Sequence, residues 1–65
     1  MTMEEERKLR YKISLLLSTK PSYVYIEKTE ELKDNKRRVF VNVRGYSYGV
    51  LMDGERIEQT WRVTA

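Results

Sequence analysis

The chain has 65 residues, 40% hydrophobic and 35% charged, which is enough apolar material for one small folded unit but not for a two-lobed enzyme with a cleft between domains. It contains no cysteine and no histidine, which excludes disulfide staples, Cys/His zinc sites, thiol nucleophiles and imidazole acid–base chemistry. The net charge of +3 sits in the second part of the chain, where residues 36–65 carry six basic and three acidic side chains.

Residues 2–19 predict one amphipathic helix. Thr2 followed three residues later by Glu5 has the spacing of a capping box, and Glu4, Glu5 and Glu6 complement the positive helix start. At helical spacing Leu9, Ile13, Leu16 and Leu17 share one arc, the stripe expected to face a sheet. Tyr11 and Leu15 fall outside it. They form a second i,i+4 apolar pair, either a local stabiliser of about 0.2–0.5 kcal/mol or a contact for a partner. Lys20 and Pro21 are expected to end the helix, because the residue before a proline avoids helical backbone.

From Ser22 the period changes to two, and strands are expected at about 22–29, 36–44, 46–52 and 55–63. In the first, Val24 and Ile26 oppose Tyr23, Tyr25 and Glu27. Residues 30–35 form a polar connection, expected with the last two residues to be the mobile part of the chain. In the second strand, Val39, Val41 and Val43 oppose Arg38, Phe40, Asn42 and Arg44, and the valines mark the core face. Asp53-Gly54 is a strong hairpin signal, since a mirror-type turn needs positive φ. Read as a two-residue loop, it sets Val50 opposite Ile57, Tyr48 opposite Gln59 and Tyr46 opposite Trp61, all inward. A tight turn at Arg44-Gly45 pairs Val43 with Tyr46, Val41 with Tyr48 and Val39 with Val50, and sets Phe40 across from Gly49. Arg44 fits that turn less well than Asn would, so a wider bend near Gly45 is the alternative.

The expected fold is a single α+β domain over residues 1–65: an N-terminal amphipathic helix packed on one face of a four-stranded antiparallel meander, with room to curl toward an open barrel. Tyr46, Tyr48, Trp61 and Val63 are assigned to its core.

The face left free by the helix is then expected to carry Tyr23, Tyr25 and Phe40 with Arg38, Arg44, Arg56 and Arg62. Aromatics for stacking beside guanidinium groups for phosphates are the composition of a platform for single-stranded nucleic acid. Glu27 opposite Arg38, and Glu58 between Arg56 and Arg62, would instead make cross-strand pairs, and the aromatic-and-basic pattern of an RNP motif is absent. The alternative is a protein-binding module or homodimer that buries the same aromatic face, with Leu51, or adds an edge strand to a partner's sheet.

No catalytic, cofactor or metal residues are assigned. Asp53 and Glu55 are explained by the hairpin, and Ser47, bracketed by Gly45 and Gly49, has no histidine base and no strand-to-helix setting. The longest apolar run, Leu15 to Leu17, falls far short of the roughly 18–20 residues of a membrane span. The segment from Met1 to Arg7 is acidic, and the expected location is cytoplasmic, with no membrane partner.

Overall fold

The computed structural model describes residues 2–63; Thr64 and Ala65, expected to be mobile, lie outside them. Thr2 starts the first element. Its hydroxyl accepts from the Glu5 backbone N–H at 3.2 Å while the Glu5 carboxylate accepts from the Thr2 N–H at 3.2 Å, so the capping box forms and helix α1 runs Met3–Leu16. The helix ends earlier than the Lys20-Pro21 signal indicates. Ser18 turns to left-handed backbone (φ 53°), and Ser18 and Thr19 donate their N–H groups back to the Leu15 and Ser14 carbonyls at 3.4 and 2.8 Å. This C-terminal cap needs no glycine, and therefore left no sequence signal. A short 3-10 turn, Pro21–Tyr23, then leads into the sheet.

Strands β1 (Val24–Glu31), β2 (Lys36–Val43), β3 (Tyr46–Asp53) and β4 (Arg56–Val63) pair antiparallel in the order β1-β2-β3-β4. β1 and β4 are edges, so the sheet does not close into a barrel. Between β2 and β3 the expected register holds throughout, including Val43 with Tyr46, Val39 with Val50 and Phe40 with Gly49. The tight turn holds too: Arg44 and Gly45 both take positive φ, 54° and 91°, and the Asn42 side-chain oxygen accepts from the Gly45 N–H at 3.0 Å.

The outer pairs each carry a bulge. In β1 the register shifts between Ile26 and Lys28, leaving Glu27 as the extra residue, so Glu30 rather than Glu27 stands opposite Arg38. At the last hairpin Asp53 pairs with Arg56, which makes Gly54-Glu55 the loop in place of Asp53-Gly54; Gly54 supplies the positive φ of 62°. A second shift follows, with Glu58 the extra residue, and Gly49 then pairs with Trp61 and Tyr48 with Arg62. An extra residue inverts every side chain beyond it. Trp61 and Val63, expected inward, therefore belong to the helix-free face, and Arg62, expected outward, belongs to the helix side.

The core is correspondingly aliphatic. Leu9 and Ile13 of α1 bury against Val24, Val39, Val41, Val43, Val50 and Met52, with Leu17, Ile26, Tyr48 and Ile57 packed around them. Met52 joins this core from the inward face of β3, two residues beyond Val50. Leu16 lies on the flank of the helix and is 52% exposed, because the three positions Leu9, Ile13 and Leu17 already fill the contact stripe. Tyr46 shares the inward face by pairing with Val43 but lies half-exposed at its end. The molecule measures 31 × 28 × 17 Å, and the smallest dimension accommodates only one helix layer on one sheet. Among the described residues no helix is long and apolar enough to cross a membrane.

Candidate binding surface

The register arranges the helix-free face in rows across the strands. Nearest the Gly45 turn come Tyr25, Asn42, Ser47 and Val63; next Lys28, Phe40, Gly49 and Trp61; then Glu30, Arg38, Leu51 and Gln59; and last Lys36, Asp53 and Arg56. The first two rows hold the aromatic residues and the last two hold ions.

In the aromatic rows, Gly49 is what seats Trp61. A Cβ at Gly49 would fall 2.2–2.6 Å from ring atoms of Trp61, so the indole occupies the volume that any other residue would fill. The sequence register had assigned the cover over Gly49 to Phe40 alone; the ring that fills it is the tryptophan. Phe40 meets Trp61 edge to face at a centroid distance of 6.4 Å, and the Lys28 ammonium lies 5.9 Å from the Phe40 centroid. Tyr25 is 68% exposed and Trp61 37%, leaving both accessible.

The ionic rows are internally compensated. Arg38 donates to Glu30 at 2.9 Å, and Lys28 reaches the other oxygen of the same carboxylate at 3.3 Å. Lys36 pairs with Glu58 at 3.3 Å, while Arg56 lies 3.9 Å from both Asp53 and Glu58. On the helix side, Arg37 bridges Glu31 at 2.8 Å and Glu5 at 3.7 Å. The hydrogen bond from Lys28, together with the charges of Lys28 and Arg38, holds the Glu30 carboxyl below its ordinary range. The Glu5 carboxyl is lowered as well, first by the Thr2 backbone N–H it caps.

Of the six cations in residues 36–65, four are thus held by carboxylates. The other two, Arg44 and Arg62, make no ion pair among the described residues and lie instead over tyrosines: Arg44 at 5.3 Å from the Tyr23 centroid and Arg62 at 4.5 Å from that of Tyr46. Both are at the Gly45 end of the sheet. Tyr23 itself belongs to the turn preceding β1 rather than to a strand.

The structure therefore brings Tyr25 and Phe40 onto one face with Trp61, while Arg44 lies over Tyr23 at the Gly45 end of the sheet. It places Arg38 and Arg56 in ion pairs at the far end of the face, and Arg62 behind it. Trp61 and Lys28 are the members sequence reasoning missed, since only the bulges at Glu27 and Glu58 bring them to this face. Among the described residues no group of three metal-ligating side chains occurs. No protein family, curated protein or solved structure matches the chain.

Proposed function

We propose that the chain is a non-enzymatic binding module that takes single-stranded nucleic acid on the aromatic half of its helix-free face. Tyr25, Phe40 and Trp61 stack bases, Lys28 beside the Phe40 ring exchanges its Glu30 partner for a phosphate, and Arg44 meets a phosphate where the strand leaves the sheet at the Gly45 end. The observation that carries the reading is that the exposed rings and the carboxylate-free Arg44 share one end of the sheet, while every compensated cation of this face except Lys28 lies toward the other.

Arg44 adds weight of its own. It occupies a left-handed turn position where Asn or Gly is preferred, so an arginine there costs stability and is best accounted for by what its side chain does. A cytoplasmic setting belongs to the same proposal, and a chain without cysteine is compatible with it.

The test is a fluorescence-anisotropy titration of a labelled random single-stranded oligonucleotide at two salt concentrations. Wild-type affinity is expected to fall severalfold between about 50 and 200 mM salt, as phosphate contacts require. Phe40→Ala or Tyr25→Ala should remove about 1–3 kcal/mol each, and Arg44→Glu should weaken retention severalfold. If the charge reversal at Arg44 and both aromatic truncations leave retention unchanged, the reading fails. Salt-insensitive self-association in light scattering would favour the second reading, a homodimer. The observation behind that reading is the exposure of Tyr25 and Trp61 on one face, apolar surface that a second copy could cover.

A further inference from the structure

Behind the Gly45 turn, on the helix side of the sheet, lies a groove of about 420 Å³ lined by Leu17, Ser18, Thr19, Arg44, Tyr46 and Tyr48 among others. The groove is open to solvent along one side. Its lining contains no carboxylate. Arg44 supplies a guanidinium to the lining, and Arg62, outside the lining itself, lies 4.5 Å from the centroid of Tyr46, a lining ring. Tyr46 and Tyr48, two apart on β3, form an aromatic wall. Thr19 carries a side-chain hydroxyl that is shielded from solvent and has no hydrogen-bond partner in the protein.

We infer that this groove binds the phosphomonoester of a nucleoside, either a free nucleoside monophosphate or the phosphorylated end of a strand. The phosphate takes Arg44 and Arg62, the base lies along the Tyr46–Tyr48 wall, and Thr19 donates to the ligand. Guanidinium groups suit phosphate because their donors match its oxygens in pairs. The end of α1 opposes this with a partial negative charge of about half a unit, against two full positive charges, and the Ser14 and Leu15 carbonyls are already capped. The inference goes beyond the strand reading and rests on it only through Arg44, since the groove and the aromatic rows lie on opposite sides of the sheet.

The experiment is a titration of the full chain with adenosine monophosphate, uridine monophosphate, adenosine and inorganic phosphate, following backbone amide shifts. A monophosphate is expected to shift the amides of Ser18, Thr19 and Tyr46 and to bind at least about tenfold more tightly than adenosine or phosphate alone. Thr19→Val and Tyr46→Ala should each weaken it about fivefold or more. Neither variant should alter binding of an oligonucleotide with a 5′-hydroxyl end. Preference for a 5′-phosphorylated oligonucleotide over its 5′-hydroxyl counterpart identifies the strand end as the source; equal binding of the two identifies the free nucleotide. Monophosphate binding without any oligonucleotide binding would sink the strand reading and leave this one standing. No shift of the groove amides at millimolar monophosphate, or wild-type affinity in both variants, overturns it.

Discussion

The two faces of the sheet are built from alternate residues of the same strands, yet they handle apolar surface in opposite ways. On the helix side, Val39, Val41 and Val50 are wholly buried beneath α1, with small aliphatic side chains filling a thin core. On the other side the chain sets its only tryptophan over a glycine and leaves it 37% exposed beside Phe40 and Tyr25. In a domain of this size every buried ring counts toward a small stability margin, and the proposed binding role would account for an indole kept outside the core. The contrast teaches that the fold rests on one face and leaves the other available.

The largest effect tests the buried face. Ile13→Ala should cost about 2–5 kcal/mol, comparable to the whole margin of a domain this small, and leave the chain largely unfolded by circular dichroism. Trp61→Ala, by contrast, should cost no more than about half as much, since its ring is only partly buried. Equal losses in the two variants would contradict the difference between the faces. Gly49→Val sharpens the point: the new side chain must displace the indole, at about 1–3 kcal/mol, and the tryptophan emission should shift to the red. An unchanged spectrum would remove Gly49 as the seat.

A smaller effect has an unusual sign. Arg44→Asn relieves a left-handed arginine, so it should stabilise the chain by up to about 1 kcal/mol while weakening oligonucleotide binding. A variant that gains stability and keeps full affinity would remove Arg44 from the proposed surface. The smallest effect concerns pH. Because the Glu5 and Glu30 carboxyls are lowered in the fold, their stabilisation is present above the ordinary carboxylate range and is lost as pH falls through the lowered values. Glu30→Gln should flatten its part of that acid-side loss in thermal melts recorded from neutral to acidic pH. Unchanged acid sensitivity would mean the Glu30 pairs with Lys28 and Arg38 contribute nothing.

How far the sequence carried these faces differs from strand to strand. The β2–β3 pair was legible because two independent signals agreed, the valine alternation and the Arg44-Gly45 turn. At β4 they did not. The hairpin loop sits one residue later than Asp53-Gly54, and the extra residue Glu58 inverts the remainder, so Trp61 and Arg62 exchange faces. Neither event leaves a mark in composition, since Gln59 and Thr60 suit either side. The same holds for Glu27 in β1. In the helix, the capping box was plain at Thr2, whereas the end at Ser18 was hidden because a serine occupies the position a glycine would have advertised. The binding surface was consequently half visible: Tyr25, Phe40 and Arg44 from alternation and turn chemistry, Trp61 only from the completed register.

Because Trp61 is the only tryptophan, its fluorescence reports directly on whether the free face is used. Titrating the chain with unlabelled single-stranded oligonucleotide at low salt should quench that emission in step with anisotropy-measured binding, as a base stacks on the exposed indole. Emission that stays constant while the oligonucleotide saturates, or the absence of any binding at low salt, would contradict the account.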